Sequence, residues 1–164
     1  MIERSELIRL ENVSVSYGLR TVFTNVSFTI HEGEYVGLIG KNGSGKSTLL
    51  KAILGLEPLN SGRIVYFDDP MNSKIPYEKI GYTAQMHPIQ RDFPATVGDI
   101  VEMGVYLANG LYRRKDPNNV EKVMYALHQV GMEKFVNRPI GHLSGGEQQK
   151  VMIAQALVKQ PKIL

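Results

Sequence analysis

The sequence predicts an α/β fold interrupted by a helical segment, and three observations carry that prediction. Two stretches near the start alternate apolar and polar residues. An apolar run then feeds a glycine-rich turn and a helical pattern. From Thr96 to Leu143 the hydrophobic spacing reads as an all-helical insertion. The composition permits this. With 164 residues, 43% of them hydrophobic and 21% charged, the chain falls in the ordinary globular range. It contains no Cys, which excludes a disulfide framework, a Cys-zinc site and thiol catalysis. A formal net charge of +3 is too slight, without clustering, to mark a nucleic-acid surface. No apolar run approaches the roughly 20 residues that span a bilayer, and the opening MIERSELIRLENVS lacks the apolar centre of a leader peptide. Glycine is the outlier: 16 of 164 residues, in clusters.

In chain order, Leu7, Ile8, Leu10, Val13 and Val15 alternate with polar residues, as do Val26, Phe28 and Ile30. Period-two alternation predicts half-buried strands, here an antiparallel pair. Tyr35-Val36-Gly37-Leu38-Ile39 is apolar without alternation, the pattern of a parallel strand buried on both faces. Leu49, Leu50, Ile53 and Leu54 then follow helical spacing, stopped by Gly55 and Pro58. Gly62 to Phe67 and Lys79 to Ala84 read as further short strands, and Met86 to Pro94 as a loop. Thr96-Val97-Gly98-Asp99 resembles a capping box with Asp in the usual Glu place, opening a helix through Ile100, Met103 and Leu107. Asp116-Pro117 offers an N-cap and a first-turn proline for a helix carrying Val120, Val123, Met124, Leu127 and Val130, ended by Gly131. A last helix starts near Ser144. Its run Val151 to Val158 is apolar nearly all round and is expected to be buried on most sides. Pro161 ends it, and Lys162-Ile163-Leu164 reads as the start of a strand.

Gly40-Lys41-Asn42-Gly43-Ser44-Gly45-Lys46-Ser47 matches G-x-x-x-x-G-K-[ST], the phosphate-binding loop. Its glycines let successive backbone N–H groups turn onto phosphate oxygens. The helix starting near Lys46 aims its positive end at the same anion. Lys46 supplies a mobile charge for the β- and γ-phosphates, and the Ser47 hydroxyl can ligate Mg²⁺. This loop alone is shared by GTPases, nucleotide kinases and many ATPases.

Leu143-Ser144-Gly145-Gly146-Glu147 is the second glycine cluster. Ser144 and Glu147 form a capping box. The two glycines are not explained by capping, since each costs about 1 kcal/mol against Ala in a helix. Close approach of an anion to the helix start would explain them.

These residues together resemble the nucleotide-binding subunit of an ATP-binding cassette (ABC) transporter, over the whole chain. Gly40 to Thr48 is then the Walker A loop. Leu143 to Glu147 resembles the ABC signature, usually LSGGQ, with Glu in the fifth place. Tyr17 stands where the family carries the aromatic that stacks on adenine. Gln85 stands at the Q-loop position, preceded by Ala84 where the family usually has Pro. The resemblance implies a P-loop NTPase with a RecA-like core, an antiparallel β subdomain and an ABC helical subdomain. Residues 1–95 would hold the β subdomain and the first part of the core, 96–143 the helical subdomain, and 144–164 the signature helix and the start of the Walker B strand.

The resemblance further implies ATP and Mg²⁺ as cofactors. Tyr17, the loop Gly40 to Thr48 and the turn Ser144-Gly145-Gly146-Glu147 would bind nucleotide. Lys46 and Gln85 would be catalytic, and Ser47 and Gln85 would ligate Mg²⁺. It implies a head-to-tail dimer, as a homodimer or with a paired ABC ATPase, and ATP held between the Walker A loop of one copy and the signature of the other. The helical insertion would dock a membrane-embedded permease at the cytoplasmic face of the membrane, in a system with an extracytoplasmic substrate-binding protein and no nucleic acid. Phe93-Pro94-Ala95-Thr96-Val97 resembles the F-P-x-T-V stretch of importers for zinc, manganese and iron chelates. The expected function is therefore the ATP-driven, energy-coupling subunit of a metal-ion or metal-chelate importer.

Pro161-Lys162-Ile163-Leu164 resembles the stretch that precedes the Walker B strand in the family. The Walker B Asp, the catalytic Glu, the D-loop and the switch His are not among the 164 residues. The sequence is therefore expected to be C-terminally truncated, with an incomplete core sheet and without hydrolysis of its own. The alternative is a truncated nucleotide-binding or dimerisation module. A soluble ABC protein of DNA repair fits poorly, because Lys46 and Ser144 are only 98 positions apart with no heptad run between them. A GTPase would carry an N-K-x-D motif, which is absent. Arg113-Arg114-Lys115 reads as a solvated loop, and His31, His87, His128 and His142 carry no assigned role.

Overall fold

The computed structural model describes residues 4–69, 74–84, 89–106 and 118–164. Gln85, His87, Leu107, Arg113 to Lys115, Asp116 and Pro117 lie outside the described residues. The chain divides into two compact units, Met1–Pro76 and Tyr77–Leu164.

The first unit is built on a three-stranded antiparallel sheet. Strands β1 (Glu6–Tyr17) and β2 (Arg20–His31) form the hairpin that the alternation predicts, and β3 (Ser61–Tyr66) pairs with the other edge of β1. The order β2-β1-β3 puts β1 in the middle, so Leu7, Ile8, Leu10, Val13 and Val15 are buried while β2 is at best half-buried along its length. The hairpin register places Leu10 opposite Phe28 and Val13 opposite Val26. It is broken where Asn12 and Asn25 take positive φ. Amides next to such irregularities need other acceptors. Ser27 Oγ takes the Asn12 N–H at 2.8 Å, and Ser14 Oγ takes the Asn25 N–H at 3.0 Å. Helix α1 (Lys46–Ile53) contributes buried Leu49, Ala52 and Ile53. Gly55 takes φ +65 just past its end, as its sequence position predicts. Tyr66, buried on β3, donates its hydroxyl hydrogen to the Ile53 carbonyl and so ties β3 to α1.

The expectation for residues 35–39 fails. They lie outside every strand, with Tyr35 and Ile39 fully exposed and Val36 and Leu38 partly so. A parallel strand buries its apolar run only within a sheet whose two faces are covered, and among the described residues no strand pairs with this run.

The second unit is helical. Helices α2 (Val97–Tyr106), α3 (Asn118–Gln129) and α4 (Gly145–Leu157) share one core. It is centred on Val97, Val101, Leu127, Met132, Ile140, Val151 and Ala154. The predicted cap of α2 is present: Asp99 Oδ2 accepts from the Thr96 N–H at 2.8 Å and the Thr96 hydroxyl at 2.6 Å, and Thr96 Oγ1 accepts from the Asp99 N–H at 3.2 Å. Helices α2 and α4 cross in close contact at Gly104, where a Cβ would fall 2.3 Å from the Gln155 carbonyl oxygen. The expectation that α4 is buried on most sides holds for one face only. Val151, Ala154 and Val158 are buried, while Met152, Ile153, Ala156 and Leu157 remain half-exposed. That second face is covered only in part: Met152 packs against the helical core, and Gly81 lies close to the Ala156 carbonyl oxygen. Of the predicted strand Lys79 to Ala84, only Ile80 pairs, in a parallel bridge to Ile163. Gly81 N–H donates to the Ile163 carbonyl at 2.8 Å and Ile163 N–H to Lys79 at 3.1 Å. This agrees with reading Lys162 to Leu164 as a strand start. Among the described residues no helix is long and apolar enough to cross a membrane.

Candidate functional site

Residues Gly40 to Ser47 form a closed loop on the first turn of α1. Gly43 and Gly45 take φ +80 and +91. Gly45 is doubly constrained, because a Cβ there would also lie 2.8 Å from Val22 Cγ1 on β2. Only glycine satisfies both the left-handed turn and the strand at its back. The Ser44 N–H closes the turn on the Lys41 carbonyl at 3.2 Å, and the Leu49 N–H starts the helix on the Gly45 carbonyl at 2.8 Å. Lys46 folds back along the loop and donates to the carbonyls of Gly40 at 2.8 Å and Lys41 at 2.9 Å. An ammonium has three N–H donors, so the lysine is held in place by two bonds. No acidic residue stands in the first turn of α1, which leaves its positive end uncompensated. Lys41, Asn42, Gly43, Ser44 and Ser47 are exposed, and Thr48 is half-buried. Such a loop fits a phosphate chain: flexible glycine turns, a helix start free of acidic residues and a tethered cation.

Tyr17 closes the same unit's hairpin, paired with Arg20, two residues before the Val22 that backs Gly45. Its ring is half-exposed and its hydroxyl donates to Glu57 Oε2 at 2.9 Å. Glu57 was not singled out by the sequence. It lies 40 positions away in the loop after α1, and no local pattern marks it.

In the second unit Ser144 is the N-cap of α4, and the capping box is complete. Glu147 Oε2 accepts from the Ser144 N–H and hydroxyl, both at 2.7 Å, and the Glu147 N–H reaches Ser144 Oγ at 3.4 Å. The Ser144 hydroxyl, then its backbone N–H, hold the Glu147 carboxyl below the ordinary carboxylate value, with Arg138 and Lys150 adding to the effect. Gly145 and Gly146 are exposed, and a Cβ at either would meet nothing within 4 Å. Neither takes positive φ. The chain's own packing therefore does not require glycine at these two positions.

Gln148, one residue after this turn, is also outside the sequence expectation. It is buried and spends its whole side-chain amide on main-chain atoms of residues 89, 140 and 143. Its signal was available, since Gln148 precedes Val151, Ala154 and Val158 on the buried face. The run Glu147-Gln148-Gln149 disguised it as solvent-facing. Between the two halves of this unit, the Val97 N–H donates to Arg138 at 2.9 Å and the Ile140 N–H to Ala95 at 3.0 Å. An open cleft of about 310 Å³ lies at the start of α2, lined by Arg91, Phe93, Pro94, Thr96, Asp99 and Pro139 among others. The Phe93-Pro94 pair singled out in the sequence thus forms part of its wall.

The ABC transporter family matches residues 23–164. The chain is 39% identical over 161 residues to the zinc uptake system ATP-binding protein ZurA of Listeria innocua, covering 98% of this chain and 63% of that protein. It is 41% identical over 157 residues to the manganese transport system ATP-binding protein MntB of Bacillus subtilis, covering 95% of this chain and 62% of that protein. In structure it is similar to the ADP conformation of MJ1267, an ATP-binding cassette of an ABC transporter, with TM-score 0.82 and 29% identity over 96% of this chain and 67% of that one. The chain thus spans somewhat under two thirds of the length of these two curated relatives.

Proposed function

The chain belongs to the ABC transporter family, with the P-loop ATPase fold of its ATP-binding subunits, and from that premise we propose that it is the ATP-binding, energy-coupling subunit of an importer for zinc, manganese or their chelates. The observation that carries the reading is the pair of glycine-marked helix starts in one chain. One holds Lys46 tethered beside an uncompensated helix end. The other presents Gly145 and Gly146 with nothing over them.

Each residue then has a defined task. The backbone of Gly40 to Gly45 and the start of α1 take the phosphates, and Lys46 exchanges a carbonyl partner for a phosphate oxygen. Tyr17 offers its ring to the base. Ser47 and Gln85 would hold Mg²⁺, which when bound neutralises phosphate charge. Ser144, Gly145 and Gly146 present their helix start to the nucleotide of a second ATPase copy, and hydrolysis releases that contact. In this reading the parts are 1–95, 96–143 and 144–164. The cleft behind Phe93 and Pro94 receives a segment of the membrane-embedded permease at the cytoplasmic face, an extracytoplasmic binding protein delivers the metal, and nucleic acid has no part.

Hydrolysis requires a carboxylate for Mg²⁺ and another for the attacking water. No Asp-Glu pair follows an apolar run within these 164 residues. We infer that these residues by themselves bind nucleotide without turning it over.

The test is equilibrium binding of a fluorescent ATP analogue, with Mg²⁺, to the chain and to Lys46→Ala. Removing one charge-assisted phosphate contact, about 1.5–3 kcal/mol, should weaken binding about 10- to 100-fold. Equal affinity of the two proteins would reject the nucleotide reading. Deleting the gene and measuring zinc and manganese uptake tests the substrate, and unaltered uptake of both would reject it.

A further inference from the structure

A buried primary amide at the head of an apolar helix face is an unusual choice, because Leu or Met there would add to the core. Gln148 is 5% exposed and shares its face with Val151, Ala154 and Val158. Its Oε1 accepts from the Ile89 N–H at 2.9 Å. Its Nε2 faces the carbonyls of Ile89 and Ile140 at 3.3 Å and of Leu143 at 3.4 Å. One side chain thus pairs both main-chain atoms of Ile89, as a neighbouring strand would. It joins them to the segment that leads into Ser144.

A second contact brings the same segments together. Gly141 lies against the backbone of residues 90–91, where a Cβ would fall 2.3 Å from the Gln90 carbonyl oxygen and 2.7 Å from Arg91 Cα. The Gln148 N–H donates to the Ser144 carbonyl at 2.9 Å. A displacement of Ile89 is therefore one side chain and one helical hydrogen bond away from Ser144.

We propose that Gln148 is a positioning residue that fastens the 89–91 segment to the turn opening α4, so that this segment and the signature turn move as one piece. The role needs an amide, with an acceptor on one side and donors on the other. Met would fill the volume but take this partner from the part-buried N–H and carbonyl of Ile89 and from the Leu143 carbonyl, while the Ile140 carbonyl would keep the Leu143 N–H. Glu would keep the acceptor and set a negative charge against those carbonyls. The consequence for nucleotide rests on the reading above: a change sensed on the approach to Ile89 is delivered to the residues that would face a partner's ATP.

The experiment is amide exchange by NMR on the isotopically labelled chain, with Gln148→Met and Gln148→Glu, using the α3 amides as an internal control. In the unmodified chain the Ile89 N–H and the Gln148 side-chain amide should be protected. In Gln148→Met the Ile89 protection should fall about tenfold or more, the scale of one buried hydrogen bond, with α3 unchanged. On titration with MgATP, the Ile89 and Ser144 signals should shift with one half-saturation in the unmodified chain and lose that agreement in Gln148→Met. An unprotected Ile89 N–H in the unmodified chain overturns the proposal even if no variant folds. So does a Gln148→Met chain in which the two signals still shift together. If the unmodified chain does not respond to ATP, the nucleotide reading fails, and the fastening itself is still decided by Ile89 exchange.

Discussion

The phenol of Tyr17 donates to Glu57 Oε2 across 2.9 Å, so the aromatic ring at the tip of the β1–β2 hairpin is steered by a carboxylate from the loop after α1. The ring is half-exposed and free to stack, while the hydrogen bond restricts its rotation. Base–aromatic stacking is worth about 1–3 kcal/mol. Tyr17→Ala should therefore weaken ATP binding about 5- to 150-fold and leave inorganic triphosphate binding unchanged. Tyr17→Phe and Glu57→Gln should each weaken ATP binding by a smaller and similar factor, and the double variant no further, as expected of two residues acting through one contact. Calorimetric titration with ATP and triphosphate decides it, and additive losses would show that Glu57 does not steer the ring.

Glu147 gives the cap of α4 a pH dependence. Its carboxyl is held low in the folded chain by the Ser144 hydroxyl and N–H, so the unfolded chain binds the proton more readily. The contribution is fully present above the unfolded carboxyl value of about 4.3 and is lost as pH falls through the lower folded value. The melting temperature of the unmodified chain minus that of Glu147→Gln should be flat from pH 8 to 5 and decline below. Gln keeps the box geometry without titrating, and a difference that is pH-independent to pH 3 would exclude the effect. Ser144→Ala removes the cap at every pH and should cost about 0.5–2 kcal/mol.

Gly104 sets the distance between α2 and α4. A Cβ there would lie 2.3 Å from the Gln155 carbonyl oxygen and 2.8 Å from Val158 Cγ1, and a helix backbone cannot step aside as a flexible side chain can. Gly104→Ala should destabilise the chain by about 1–3 kcal/mol through overpacking, despite the better helix propensity of Ala. Urea unfolding measures it. A neutral or stabilised variant would mean that the two helices slide freely.

What could be read from the sequence divides along the range of the interactions. The β1–β2 hairpin, the Thr96–Asp99 and Ser144–Glu147 boxes, the end of α1 at Gly55 and the turn before Lys46 were all legible, because each is decided by residues a few positions apart. Residues 35–39 were misread as a buried strand, because burial of a parallel strand is a property of its neighbours rather than of its own apolar run. The one-sided burial of α4 was missed for the same reason. Glu57 was missed because its partner lies 40 positions away, and Gln148 because Ile89 lies 59 positions away and the polar run Glu147-Gln148-Gln149 hides its place on the buried face. Their polarity reads as solvation until those partners are known.

Gly146 separates what the chain needs for itself from what it offers to others. It occupies the first turn of α4, is exposed, takes no positive φ, and has open space where a Cβ would go. Folding alone should favour Ala here by up to about 0.5–1 kcal/mol, so Gly146→Ala should melt at the same temperature as the unmodified chain or slightly higher. In the proposed reading a second copy's nucleotide reaches the helix start through this open space, and a methyl group placed there would hold its phosphate off the backbone N–H groups. ATP-dependent self-association, followed by sedimentation, should therefore be lost in Gly146→Ala while ATP binding by the single copy persists. A variant that is as stable and still associates with ATP would show that this turn does not face a partner's nucleotide, and a variant that unfolds would show that the glycine serves the chain's own packing.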